Sequence, residues 1–160
     1  TIRSFYEANI DLTRPNPPFC FMSPTGRIFT RARFLPPLKI ESADLHHVQL
    51  GEGCVLDGVH IENSVIGVRS VIGKGTVIRK SVVMGNDFYQ WTKPSSGPRL
   101  GIGKNCQIER CILDKNVFIG NNVSITNRNR EREKDGENYY IRDGIVIIPK
   151  AAVIRDGTKI

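Results

Sequence analysis

At 160 residues, with 39% apolar, 8% aromatic and 24% charged side chains, the chain has the composition of one globular domain, which excludes a disordered tail and a fibre. Its 23 basic and 16 acidic residues leave a formal charge of +7, a field that favours anionic partners without choosing among nucleic acid, phosphorylated metabolites and acidic surfaces. The apolar runs are a few residues long and no charged-then-apolar leader opens the sequence, so the expectation is a soluble, cytoplasmic protein with no membrane partner.

In chain order, Ile2, Phe5, Ala8 and Leu12 fall at helical spacing and Pro15 stops any continuation. A helix this short is marginal alone, so it is expected to dock, either within this chain or on a partner outside it. Between Arg14 and Pro37 lie six of the nine prolines: Pro15, Pro17, Pro18, Pro24, Pro36 and Pro37. They fix φ and remove amide donors, which predicts an extended linker. Inside it, Arg27, Phe29, Arg31 and Arg33 share one parity of a possible edge strand after a Pro24-Thr25-Gly26 turn. Residues 1–44 are assigned to this helix and Pro-rich linker, and 45–160 to a second unit.

After Lys39 a short internal repeat takes over. Its aliphatic positions read Leu50, Leu56, Ile61, Ile66, Ile72, Ile78 and Met84, then Ile102, Ile108, Leu113, Ile119 and Ile125, then Ile148, Ile154 and Ile160. Spacings of five and six fit neither the 3.6 period of a helix nor the alternation of a half-buried strand; they fit short strands wound around tight corners. The expected fold is therefore all-β: a hexapeptide-repeat solenoid, three hexads to a coil, carrying a short N-terminal helix and an extended Pro-rich linker. The aliphatic side chains stack along its axis, and Cys54, Ser70, Thr76 and Cys106 suit a second, smaller inward position. Handedness does not follow from the spacing. Insertions are expected near 86–100, where Pro94, Ser95, Ser96, Gly97 and Pro98 mark a loop, and near 127–143, which is densely charged.

Cys20, Cys54, Cys106 and Cys111 lack paired zinc-site spacing; buried, reduced thiols are the expectation, with a disulfide or a metal as the alternatives. His46, His47 and His60 are the only candidates for a general base of the acyl-transfer kind that solenoids support. The basic run from Arg128 to Lys134 is interleaved with Glu131 and Glu133, and Trp91, Tyr139 and Tyr140 form no recognisable stacking platform, so a solvated loop is preferred to a nucleic-acid site. On composition alone, Lys115 and Lys150 are surface lysines next to aliphatic repeat positions.

Longer strings change that reading. IRSFYEANIDLT, IFTRARFLPPLKI, HIENSVIGVRSVIGKGTVIRKSVVMGNDFY, LGIGKNCQIERCILDKNVFIGNNVSI and DGIVIIPKAAVIRDGTKI resemble, in that order, the C-terminal part of ADP-glucose pyrophosphorylase (glucose-1-phosphate adenylyltransferase). The resemblance spans nearly the whole chain and is most specific in FLPP, SVIGxRS, MGxDFY and ILDKN. It implies a left-handed parallel β-helix that follows an N-terminal nucleotidyltransferase domain, which joins ATP and glucose 1-phosphate with Mg²⁺ and releases pyrophosphate. That domain's nucleotide loop and metal carboxylates have no counterpart in these residues, so the resemblance implies no catalytic residue, no metal ligand and no cofactor here, and an inactive fragment. It further implies a subunit contact in a homotetramer and one wall of an allosteric site for a phosphorylated small molecule. The basic effector-contacting positions of the family match Lys115 in ILDKN and Lys150 in IIPKAA, with Pro149 departing from the usual residue. The readings from other classes are a stand-alone hexapeptide acyltransferase and a solenoid scaffold without a ligand.

Overall fold

The computed structural model describes residues 1–21, 32–90 and 97–160. Arg27, Phe29 and Arg31 of the possible edge strand, the Pro24-Thr25-Gly26 turn, and Trp91, Pro94, Ser95 and Ser96 lie outside the described residues. Helix α1 (Ile2–Asp11) is followed by two long strands, β1 (Lys39–Leu50) and β2 (Val55–Ile66). Short ones come next: β3 (Val71–Ile72), β4 (Val77–Arg79), β5 (Val82–Val83), β6 (Gly101–Ile102), β7 (Gln107–Glu109) and β8 (Cys111–Leu113). The chain ends with β9 (Phe118–Ile119), β10 (Ser124–Ile125), β11 (Glu133–Asp135), β12 (Tyr140–Arg142), β13 (Ile145–Ile148) and β14 (Val153–Ile154).

The strands pair in parallel along three faces. The first face runs β1–β2–β3–β6–β9–β14 and stacks Ile40, Leu56, Ile72, Ile102, Ile119 and Ile154. On the second, β1–β2–β4–β7–β10, Leu45, Ile61, Ile78, Ile108 and Ile125 are in register. Along the third, β1–β2–β5–β8–β13, the column is Leu50, Ile66, Val83, Leu113 and Ile148. From Leu56 onward these side chains are at most 5% exposed; each contributes roughly 1.5–3 kcal/mol of burial. The expected axial stack is therefore present, with one correction. Val83, not Met84, occupies the inward position opposite Leu113, because the step from the second face to the third is five residues: Ile61 to Ile66, Ile78 to Val83, Ile108 to Leu113. Met84 packs outside the coil, against the cluster that holds α1.

A four-residue unit makes each corner. Three residues before an axial side chain stands a residue with left-handed φ: Gly53, Gly58, Asn63, Arg69, Gly75, Lys80, Asn105, Arg110, Asn116, Asn122, Ala151 and Gly157. The next residue is small and points inward, and where it is Ser, Thr or Cys its polar atom bonds nearby backbone, often that of the neighbouring coil. Thr76 Oγ1 donates to the Gly103 carbonyl at 2.8 Å and accepts from the Cys106 amide at 3.1 Å. Cys106 Sγ donates to the Gly120 carbonyl at 3.1 Å. Gly and Asn take left-handed φ at little cost, which explains their recurrence here. The cysteines fill the same slot: Cys54, Cys106 and Cys111 are buried free thiols and Cys20 is exposed and free. Burial raises the pKa of Cys54 and Cys106 and pushes that of Cys111 up to about 12.

Helix α1, capped by Thr1 Oγ1 accepting from the Ser4 amide, docks on the outside of the third face. Tyr6 packs with Val82, Ile112 and Ile145, and its hydroxyl donates to the Lys80 carbonyl at 2.5 Å. Gln49 Nε2 donates to the Leu12 carbonyl at 3.1 Å, and Arg3 pairs with Asp143 at 3.2 Å. Within this chain the stripe of Ile2, Phe5, Ala8 and Leu12 is not the face that docks. Ile2, Phe5 and Ala8 are exposed, because the side chain that satisfies a backbone carbonyl while filling the apolar seat is the tyrosine. The charged segment between β10 and β13 is also more ordered than a loop. β11 and β12 form an antiparallel hairpin that extends the third face, and it sends Ile141 into the axial core.

Candidate functional site

Lys115 and Lys150 sit at equivalent corners of successive coils, just past the third face. The carboxylate of Asp114 accepts from the Lys115 amide at 2.6 Å, Asn116 takes φ +60°, and the Ala151 amide donates to the Lys115 carbonyl at 3.0 Å, locking one corner above the other. Pro149 fits this geometry. The amides at its stacked equivalents, Met84 and Asp114, donate to the coil above, to Leu113 and Ile148 respectively. Among the described residues no coil lies beyond Pro149 to receive such a bond, so its missing N–H costs none.

Both lysines converge on Asp87, one coil earlier. Lys115 Nζ lies 2.7 Å from Asp87 Oδ1 and Lys150 Nζ 3.5 Å from Oδ2. Asn116 Nδ2 also donates to Oδ2 at 3.0 Å, and the Asp87 amide donates to Asn116 Oδ1 at 2.8 Å. Hydrogen bonds from Lys115 and Asn116, with the fields of both ammonium groups, hold the Asp87 carboxyl at a pKa of about 2. All three charged side chains stay open to water, at 34% exposure for Lys115, 59% for Lys150 and 42% for Asp87. The sequence reading named the two lysines and missed Asp87 and Asn116. Asp87 was in view inside MGNDFY, but an acid is not what a search for an anion site looks for.

The other candidates assemble differently. Asp44 bridges two of the three histidines, with Oδ1 2.8 Å from His46 Nε2 and Oδ2 2.7 Å from His60 Nδ1, on the open outer side of β1 and β2. Both imidazoles are thus engaged on a flat face, and His47 takes a corner φ of +53°. In the charged hairpin, Arg142 reaches Asp135 at 2.5 Å and Glu133 at 3.5 Å, and Lys134 pairs with Glu131 at 4.0 Å. Arg142 and Lys134 are thus paired within the hairpin itself. No group of three or more His, Cys, Asp or Glu among the described residues is placed to hold a metal. No helix among them is long and apolar enough to cross a membrane. A groove of about 1160 Å³ runs over the outside of the first face; Arg69, Tyr89, Lys104 and Arg155 line it, and it borders Asn86 and Phe88 on either side of Asp87 without including the lysine pair.

A family model for the GLGC left-handed parallel β-helix domain matches residues 33–159. The chain belongs to that family, the C-terminal domain of ADP-glucose pyrophosphorylase. The coils of this GLGC domain are therefore left-handed, the opposite of the usual crossover preference. The domain is part of a nucleotidyltransferase family. The match takes in the fourteen strands of the described residues and the corners of Asp87, Lys115 and Lys150, and leaves α1 outside it.

Proposed function

We propose that this chain is the regulatory and assembly domain of an ADP-glucose pyrophosphorylase, which forms ADP-glucose and pyrophosphate from ATP and glucose 1-phosphate for glycogen or starch synthesis. Lys115 and Lys150 form one wall of its site for a phosphorylated small-molecule effector. The observation that carries this reading is their convergence: two ammonium groups from different coils meet on the two oxygens of one carboxylate, the spacing that two oxygens of a phosphate take. Charge-assisted bonds of this kind are worth about 1.5–3 kcal/mol each. A ligand shared between this rigid wall and the neighbouring catalytic domain of the same polypeptide shifts their relative placement only through its differential affinity for the two states. The reaction and its Mg²⁺ belong to that catalytic domain, and these residues alone are inactive. The exposed Ile2 and Phe5 of α1, and Ile40 and Leu45 on the edge strand β1, support contacts with that domain and with other subunits of a tetramer.

The test is Lys115→Ala in the full-length enzyme. Activation by a phosphorylated effector should fall by roughly tenfold or more, with the unstimulated rate little changed; equal loss of both refutes the reading. Calorimetry with fructose 1,6-bisphosphate, 3-phosphoglycerate and acetyl-CoA separates it from the acyltransferase alternative, which requires acyl-CoA binding and a response to mutation of His46, His47 or His60.

A further inference from the structure

The place between the two lysines already holds a negative charge. Asp87 presents one oxygen to each ammonium group, so it uses the contacts that an incoming phosphate needs. Its backbone is pinned independently of that carboxylate: the Asn86 amide donates to the Val68 carbonyl at 2.8 Å, Asn86 Nδ2 to the Arg69 carbonyl at 2.8 Å, and Arg69 Nη1 to the Asn86 carbonyl at 3.3 Å. Gly85, with φ +81°, supplies the bend that turns the chain out of the coil at this point. The Asp87 side chain can therefore rotate away while its main chain stays in place. At 42% exposure it has water to rotate into, and exposed ion pairs of this type are weak enough to exchange.

The geometry points to Asp87 as an internal counter-anion of the Lys115–Lys150 pair, one that competes with a phosphorylated ligand for both ammonium groups and so sets the concentration at which the domain responds. This rests on the reading of the lysine pair as an anion site and adds an intramolecular competitor to it. A ligand with a single negative charge exchanges like for like and gains little. A phosphate dianion brings more charge than the carboxylate it displaces, so the competitor also discriminates in favour of phosphorylated ligands over simple carboxylates.

Calorimetric titration of the full-length enzyme with inorganic phosphate and with fructose 1,6-bisphosphate, at low ionic strength, tests this in the wild type, Asp87→Asn, Asp87→Ala and Lys115→Ala. The far-UV spectrum and melting temperature serve as the fold control. Both Asp87 variants should bind either probe more tightly than the wild type, by about tenfold, and adding Lys115→Ala to Asp87→Asn should abolish the gain. If the Asp87 variants bind no better, or worse, while Lys115→Ala still weakens binding, Asp87 positions the lysines and does not compete with the ligand; the inference fails and the site survives. If Lys115→Ala binds as the wild type does, or no protein binds either probe, the site reading falls and the inference with it.

Discussion

Ile108 gives the most direct test of the axial stack. It is 1% exposed and lies in register between Ile78 on one coil and Ile125 on the next. Truncation to Ala therefore opens a void bounded above and below by side chains that are themselves fixed by backbone ladders. Collapse is restricted, which places the cost in the middle of the range for a buried Ile, about 3–4 kcal/mol. For a chain of this size that corresponds to a fall in melting temperature of roughly 6–16 °C. Val153 is the control: it is also a β-branched residue in a strand, but it faces outward at 42% exposure, and Val153→Ala should change stability by no more than about 0.5 kcal/mol. Urea unfolding followed by far-UV circular dichroism reads both. A Val153→Ala midpoint shift equal to that of Ile108→Ala, or an Ile108→Ala cost below about 1 kcal/mol, would refute the inward assignment.

Three further outcomes follow from other parts of the molecule. A Cβ at Gly103 would press on the Gly120 carbonyl, its carbon only 2.6 Å away on the next coil, whereas a Cβ at Gly97 meets nothing within 4 Å and pays only for its φ of +78°; Gly103→Ala should cost more than about 2 kcal/mol and Gly97→Ala about 1 kcal/mol, read by denaturant midpoints. Tyr6→Phe leaves the part-buried Lys80 carbonyl without its donor and should cost about 1–3 kcal/mol. Burial raises the Tyr6 pKa to about 12 from its ordinary 10.0, so the folded state holds this proton more tightly; stability from Tyr6 is complete below about pH 10 and is lost as pH rises towards 12, a loss that Tyr6→Phe should not show. For Asp87 the sign is opposite. Its pKa lies at about 2 against an ordinary 3.8, so its contribution is present above about pH 4 and is lost as pH falls towards 2, and a carboxyl titration by NMR should find its midpoint well below those of the other aspartates.

The repeat was legible because its cause is local: aliphatic residues at every fifth or sixth position match short strands wound around corners and neither the period of a helix nor that of an alternating strand. The five-residue step that installs Val83 in place of Met84 was harder to read, since both side chains are apolar and only the partner Leu113 decides between them. The face by which α1 docks on this chain was hidden for a related reason. Helical periodicity shows which residues share a face but not which polar atom has a carbonyl waiting, and Tyr6 wins its seat through Lys80. Arg69, Lys80 and Arg110 take left-handed φ where no propensity favours them; the neighbouring coils impose that conformation. At the candidate site the two lysines were found through resemblance and not through any pattern of their own. Asp87 becomes visible only when three coils are stacked, because it lies 28 residues from Lys115 along the chain.

The corners of Gly85, two residues before Asp87, and of Lys115 and Lys150 are also rungs of one ladder, tied by the bonds from the Asn116 amide to the Gly85 carbonyl and from the Ala151 amide to the Lys115 carbonyl. Their separations are consequently graduated in units of the strand spacing, about 4.8 Å, like marks on a ruler. Exchanging residues between equivalent corners would move a charge up or down by a whole mark and leave the aliphatic columns untouched. Recognition can in this way be retuned by editing the rim while the axial core stays as it is.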